Sequence, residues 1–419
     1  MKIVTLSKEE FEEFSNKNSL NTFYQSVNYA NFAKNNNQYD AHYLGFVDNT
    51  NSLIGASLVL YKTLFWGYKA AYAPRGFLFK YDDATLVTDL TESLKRLLKK
   101  QKFIFITIDP PIVVSERDKD GNTIKSNPHI NNILTNFKKN GFEHVGFNLY
   151  NESKLSRFNV SARLNSDARI IYNNFSTDVK EKINYANSMA ITVSCDETCN
   201  INKFSDYIKS IGSKKSKKFL QNIYNAFSND NKIKIFYAKL DTQKYTKNAN
   251  DLYTKEEEKN TALGEIIQSG DNVKYNIQKA INDKMESDKL LHTYKKDIVA
   301  STRLLKNHPD GIICGAALTI QEAHGVNILI NIFDEAYTRY NIDTMLNYEI
   351  MKYFGKENFQ YINLGDVTGN FNSNSKFYPI LTSKLGFNSS ILEYIGEFDI
   401  VLNPTMYRIY KKKYNIVRN

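Results

Sequence analysis

Short, β-rich apolar runs occur in two separate parts of the chain in the same order, and this repetition restricts the fold more than any other feature. Residues 53–60 (LIGASLVL) and 102–108 (KFIFITI) have strand length and are bounded by polar or glycine-containing segments, so they read as buried strands. Between them, residues 84–100 place Leu86, Leu90, Leu94 and Leu97/Leu98 at helical spacing and end in basic residues, which predicts a helix laid over a sheet. The order returns at 233–240 (IKIFYAKL), 311–320 (GIICGAALTI) and 326–333 (VNILINIF), followed by a helical stretch at 343–354 and the run 360–364 (QYINL). Two similar α/β units are the economical reading, and 419 residues are enough chain for two cores.

Residues 241–297 break this pattern, being dense in Lys, Glu, Asp and Asn and nearly free of Pro. Val273, Ile277, Ile281 and Met285 stand four residues apart, and Ser269-Gly270-Asp271 supplies a turn, so an antiparallel helical hairpin is expected. The residues alone also admit a flexible charged insertion. Over the whole chain, 42% hydrophobic and 13% aromatic residues are ample for packed cores. The net charge of +10 suits a polyanionic partner such as RNA, an anionic membrane surface or a pyrophosphate-bearing substrate, and equally suits a merely basic surface.

The longest apolar stretch, 312–320, is far below the roughly 20 residues that span a bilayer. Glu9, Glu10, Glu12 and Glu13 stand where an export signal needs an apolar segment, so a cytoplasmic protein is expected, with any membrane contact peripheral. Cys195, Cys199 and Cys314 form no CxxC or disulfide framework. No two of the 18 glycines are two residues apart, which removes GxG-type nucleotide loops. Gly141 and Gly146 have Walker spacing, but Phe147 follows where Lys is required. The six histidines form no HxxxH or HExxH, and no GxSxG elbow is present, so metal, cofactor and catalytic-triad chemistry have no motif to rest on.

What remains is a set of unusual strings: FYQSVNYANFAK from Phe23, YAPRG from Tyr72, TIDPPIV from Thr107 and SKLGFNSSILEYIGEFDIVLNP from Ser383. In order and separation they resemble the Fem family of tRNA-dependent peptidyl transferases across almost the whole chain. The resemblance implies an α/β (α+β) fold of two acetyltransferase-like (GNAT-like) domains with an inserted antiparallel coiled-coil arm. It places the first domain at 1–145 with 396–401 crossing back. The second takes 146–240, 298–395 and 402–419, and the arm 241–297. It implies transfer of an amino acid from aminoacyl-tRNA to the stem-peptide amine of a peptidoglycan precursor, lipid II or UDP-MurNAc-pentapeptide, without a cofactor.

Carried over by motif, Lys384 matches a lysine close to the chemistry, and Asp109 and Lys34 match positions that contact the precursor. Lys384 and Asp109 are the expected catalytic residues, the Asp109 carboxylate holding or relieving the acceptor's ammonium. One of Lys214 or Lys215 stands in for a substrate-facing Arg, Tyr29 replaces a Trp of a pocket wall, and Lys180, Lys182, Lys217 and Lys218 suit tRNA phosphates. Such charges fit aminolysis of an ester, which needs a positioned amine, a route for its proton and a stabilised oxyanion, with no enzyme nucleophile. By themselves the lysine cluster also reads as a solvated helix face, and Arg75-Gly76 as a turn. Two rivals fit the fold: an acyltransferase with a small thioester donor, against which the absent pyrophosphate loop argues, and a non-catalytic tRNA-binding or immunity-like relative.

Overall fold

The computed structural model describes residues 1–147, 154–271, 274 and 276–414. Among these residues the strands form two mixed sheets, of seven and nine strands. The first runs in the spatial order Lys2–Thr5, Asp40–Val47, Leu53–Thr63, Lys69–Ala73, Phe103–Ile108, Phe398–Val401, Phe142–His144. The second runs Ile191–Cys195, Ile233–Leu240, Ile312–Gln321, Gly325–Phe333, Tyr361–Val367, Phe158–Arg163, Ser389–Tyr394, Val113–Arg117, Thr123–Ser126. Each contains a parallel pair joined through a helix. Lys69–Ala73 reaches Phe103–Ile108 through Ala84–Lys100, and Gly325–Phe333 reaches Tyr361–Val367 through Ile342–Lys356. A parallel pair needs such a crossover, so the repeated strand-helix-strand order of the sequence has a topological cause.

Local chemistry sets the element ends. Asp83 caps the helix Ala84–Lys100 by accepting from the Leu86 amide, and Val87, Leu90, Leu94 and Leu98 face inward. Full burial of one such leucine contributes about 1.5–3 kcal/mol. Ser26 caps the helix Val27–Asn37 by accepting from the Tyr29 amide (3.0 Å).

Three strands are exchanged between the sheets. Phe398–Val401, close to the chain's end, pairs with Phe103–Ile108, while Val113–Arg117 pairs with Ser389–Tyr394 in the second sheet. The hairpin 113–126 therefore leaves the unit of residues 1–145 in which the sequence reading put it. The helix Pro404–Lys413 likewise packs on the first sheet, not the second, because Tyr407 stacks edge-on against Phe105 and its hydroxyl donates to Asp399. These exchanges bind the two units to each other.

Residues 241–297 do contain a helical hairpin. Thr242–Ser269 ends at Gly270, whose φ of 64° suits glycine, and Ile277–Asn307 begins at the Asn276 cap. Asn260 donates to Asp288 (2.7 Å) and Tyr245 to Asp297 (3.2 Å), so the helices run antiparallel. The second helix continues to Asn307, ten residues past the expected boundary, because Ile298 and Leu304 pack into the second core. The apolar stripe also differs: Ala280 and Ser287 are buried, Met285 is 58% exposed, and Val273 lies outside the described residues. A four-residue repeat overshoots the 3.6-residue turn, so Met285 has rotated about 80° from the line of Ile277.

The hairpin's base is core and its outer part is not. Tyr245 is fully buried, with Ala249, Asp297 and Ser301 beside it in burial, whereas the outer turns are mostly exposed. Replacing residues 256–286 by a short turn should therefore leave a single cooperative urea transition. Tyr245→Ala should lower stability by about 3–5 kcal/mol. Loss of cooperativity on trimming, or an unaffected midpoint for Tyr245→Ala, would contradict this division.

Candidate functional site

The motif strings meet through buried hydrogen bonds. Gln25 donates to the carbonyls of Leu58 (3.3 Å) and Pro74 (2.6 Å) and accepts from the Leu58 amide (2.8 Å), tying FYQS to YAPRG. Asp109 accepts from the Arg75 amide (2.6 Å) and the Tyr72 hydroxyl (2.9 Å), tying YAPRG to TIDPP. Thr107 donates to Asp399 (2.6 Å), which joins TIDPP to EFD across the strand pair. Asp109 is only 2% exposed. Burial pushes its carboxyl up to about 6, with Glu397 adding to the rise while Arg75 and the two hydrogen bonds oppose it.

Arg75 carries this network to the second sheet. Its guanidinium donates to the Ser156 carbonyl (2.6 Å) and lies 4.6 Å from the centre of the Tyr394 ring. There it reaches a cavity of about 1000 Å³ between the units. Tyr24 and its neighbours from the first unit form one wall, and Asn159, Glu322, Tyr361, Asp366 and Lys384 from the second form others. Glu322 holds the walls together, accepting from the Phe23 amide (3.2 Å), the Asn327 amide group (2.5 Å) and the Tyr361 hydroxyl (3.0 Å). Its burial raises the carboxyl above the usual range.

Lys384 stands in the last turn of the short helix Tyr378–Leu385. That helix is held close to Thr177–Ser188: the Ser176 amide donates to the Gly386 carbonyl (2.9 Å), and a Cβ on Gly386 would stand 2.5 Å from Val179. The Lys384 ammonium donates to the Asp366 carbonyl (3.1 Å). Gly365 permits this approach, since its φ is 96° and an added Cβ would stand 3.2 Å from the Lys384 nitrogen. Burial pulls the Lys384 ammonium down to about 8 against the charge of Asp366. Asp366 accepts from Asn159 (3.1 Å). Its surface is open to the cavity, yet the protein around the cavity displaces enough water to raise its carboxyl, while Arg75, Lys384 and Lys215 pull the other way.

Lys384 is thus the candidate from the sequence that lines the cavity; Asp109, Tyr29 and Lys34 do not. Asp109 is enclosed behind Arg75, so it positions the loop and has no open face for a substrate amine. Tyr29 stands behind the cavity-lining Tyr24 with ring centres 5.0 Å apart. Lys34 is exposed on the helix Val27–Asn37, which packs on Lys217–Phe227 through Phe32 and Phe219. Lys214, Lys215, Lys217 and Lys218 are exposed at the start of that second helix, so the two lysine groups lie on helices in contact. Lys180 donates to the Asn173 carbonyl (2.7 Å) and Lys182 pairs with Asp178 (2.7 Å). Asp366, Gly365, Glu322 and the Arg75 side chain were missed. Asp366 could have been found, because an acid at the exit of the strand-like run QYINL repeats the pattern that singled out Asp109.

Among the described residues, no group of His, Cys, Asp or Glu is arranged to hold a metal ion, and no helix is long and apolar enough to cross a membrane. Residues 6–414 match the FemAB family model. Lipid II:glycine glycyltransferase from Staphylococcus aureus (strain MSSA476) is 23% identical over 349 residues, covering 82% of this chain and 79% of that protein. The same enzyme from strain MRSA252 gives the same values. The crystal structure of FemX superposes with a TM-score of 0.73 at 20% identity, covering 98% of this chain and 99% of that one.

The site's electrostatics can be read chemically. In competitive amine labelling, Lys384 should be half-modified near pH 8, and Asp366→Asn should move that point lower by removing the anion that favours the ammonium. A midpoint at the ordinary lysine value, about 10.4, would contradict the burial of this group.

Proposed function

Because the chain belongs to the FemAB family, we propose that it transfers an amino acid from aminoacyl-tRNA to the stem-peptide amine of a peptidoglycan precursor, as an enzyme of interpeptide-bridge synthesis. The relatives named as acting on lipid II and glycine support the acceptor class. The observation that carries the reading is the pairing of Lys384 with the irregular Gly365-Asp366 step of the strand Tyr361–Val367, on the wall of a cavity large enough for a peptide and an aminoacyl ester.

In this reading the acceptor nitrogen attacks the ester carbonyl, the new C–N bond forms, the ester C–O bond breaks, and a proton from the amine ends on the departing ribose oxygen. The Lys384 ammonium stabilises the oxyanion and gives its proton to the leaving oxygen. The Asp366 carboxylate, kept weakly basic by its surroundings, takes the proton that the amine sheds and passes it to the neutral Lys384 amine, so that both groups end the cycle in their starting charge states. Arg75 and the cavity walls hold the acceptor for attack, and confinement of both reactants supplies much of the rate. Lys34, Lys214 and Lys215 suit the precursor's pyrophosphate, and Lys180, Lys182, Lys217 and Lys218 suit tRNA phosphates. Asp109 acts through Arg75.

The deciding assay offers every charged tRNA with either lipid II or UDP-MurNAc-pentapeptide and weighs the product. One donor should add its residue to a stem-peptide amine. No product from any pair, or acylation from a small thioester instead, would overturn the reading. Lys384→Met should cut turnover about 100-fold with acceptor affinity little changed. A working ammonium is present below its pKa and lost above it, so the Lys384-dependent part of turnover should fall as pH rises through about 8. Asp109→Asn, which keeps an oxygen for the Arg75 amide, should lose less than Lys384→Met.

A further inference from the structure

The sequence contains one tryptophan, and it is not used to build a core: Trp66 is 72% exposed. It occupies the turn between Leu53–Thr63 and Lys69–Ala73 with a φ of 54°, a backbone conformation that bulky residues rarely adopt. Phe65 meets it edge-on at 5.1 Å. Beside this tip lies the helix Pro404–Lys413, because Leu64, Phe65 and Tyr68 share one apolar cluster with Met406, Tyr407 and Tyr410 around Ile104 and Phe105. Lys413 reaches back over the Phe65 ring at 4.7 Å. Arg408, Lys412, Lys413 and Tyr414 are exposed, and Lys411 pairs with Glu143. Residues 60–81 and 402–414 contain no acid.

We propose that this face docks on an anionic lipid bilayer, with Trp66 and Phe65 entering the headgroup layer and Arg408, Lys412 and Lys413 against lipid phosphates. Tryptophan favours that layer because its ring is apolar while its N–H still needs a hydrogen-bond acceptor. Basic side chains next to it are drawn by the negative surface potential. A lone exposed apolar residue would need no explanation, but an exposed Trp and Tyr among cations with no acid in either segment is a concentrated signal. Single-stranded nucleic acid also binds aromatic, basic surfaces, but along grooves, and Trp66 is exposed on a hairpin turn.

This docking surface does not depend on the transfer reading, and it complements it. The chain from Trp66 to Arg75 spans at most about 30 Å when extended, so the cavity stands within reach of a sugar-linked peptide held at the membrane.

The single tryptophan makes the test direct, since its emission reports Trp66 alone. Full-length protein mixed with vesicles of phosphatidylcholine and phosphatidylglycerol should show emission moving to shorter wavelength and protection from acrylamide, both reversed by added salt. Pure phosphatidylcholine vesicles should give neither. Lys412→Gln with Lys413→Gln should weaken vesicle binding roughly 30-fold, and Trp66→Ala should reduce co-sedimentation. In both variants transfer to soluble UDP-MurNAc-pentapeptide should equal that of the unaltered protein. Unchanged emission with the anionic vesicles, or undiminished vesicle binding in both variants, would overturn the proposal. Emission that responds to single-stranded RNA and not to vesicles would do so as well. Vesicle binding in a protein that fails every transfer assay would leave the docking surface standing and remove the transfer reading alone.

Discussion

The Asp109 carboxylate, sealed from water between the Arg75 amide and the Tyr72 hydroxyl, is the contact on which the site's geometry depends. An isolated buried carboxylate is unfavourable; burial raises the pKa of this one, and Arg75 and two hydrogen-bond donors offset part of that rise. In return it fixes a backbone turn in which Arg75 has a φ of 50° and its side chain leaves the first sheet for the second. Removing the carboxylate would leave a buried amide and hydroxyl without partners, each worth about 1–3 kcal/mol. The guanidinium's seat on Ser156 and Tyr394 would lose its anchor at the same time.

Around that contact the units are interleaved. A strand from the end of the chain completes the first sheet, and a hairpin from the first third extends the second. A cavity between units so joined has walls set by long-range pairing, so its polar groups can be held in place without a ligand. The motif residues divide accordingly. Gln25, Asp109, Thr107 and Asp399 spend their polar atoms on one another and on backbone, while Arg75, Asp366 and Lys384 present theirs to the cavity.

The strands and helices were legible because their signals are local: the runs at 53–60, 102–108 and 233–240 and the leucine spacing of 84–100 fall on observed elements. Which sheet a strand joins is not local: nothing in FDIV itself tells Phe398–Val401 to pair with Phe103–Ile108, and its return to the first unit was legible only through the family resemblance, which did not foresee the move of hairpin 113–126. The arm's stripe failed because four-residue spacing was read as one face of a helix that turns every 3.6 residues. At the site, Lys384 was legible through its motif, whereas the enclosure of Asp109 was not, since burial depends on what packs over a strand exit. Asp366 had the same local signal as Asp109, and its open face comes from Gly365 and the neighbouring strand rather than from its own surroundings in sequence.

The most direct measurement is a crystal structure of the protein with UDP-MurNAc-pentapeptide bound. The expected result places the stem-peptide amine in the cavity, within hydrogen-bond reach of the Asp366 carboxylate and beside the Lys384 ammonium, with Arg75 still held by Asp109. A precursor bound with its amine away from Lys384 and Asp366, or an Arg75 released from Asp109 to bind it, would contradict the account.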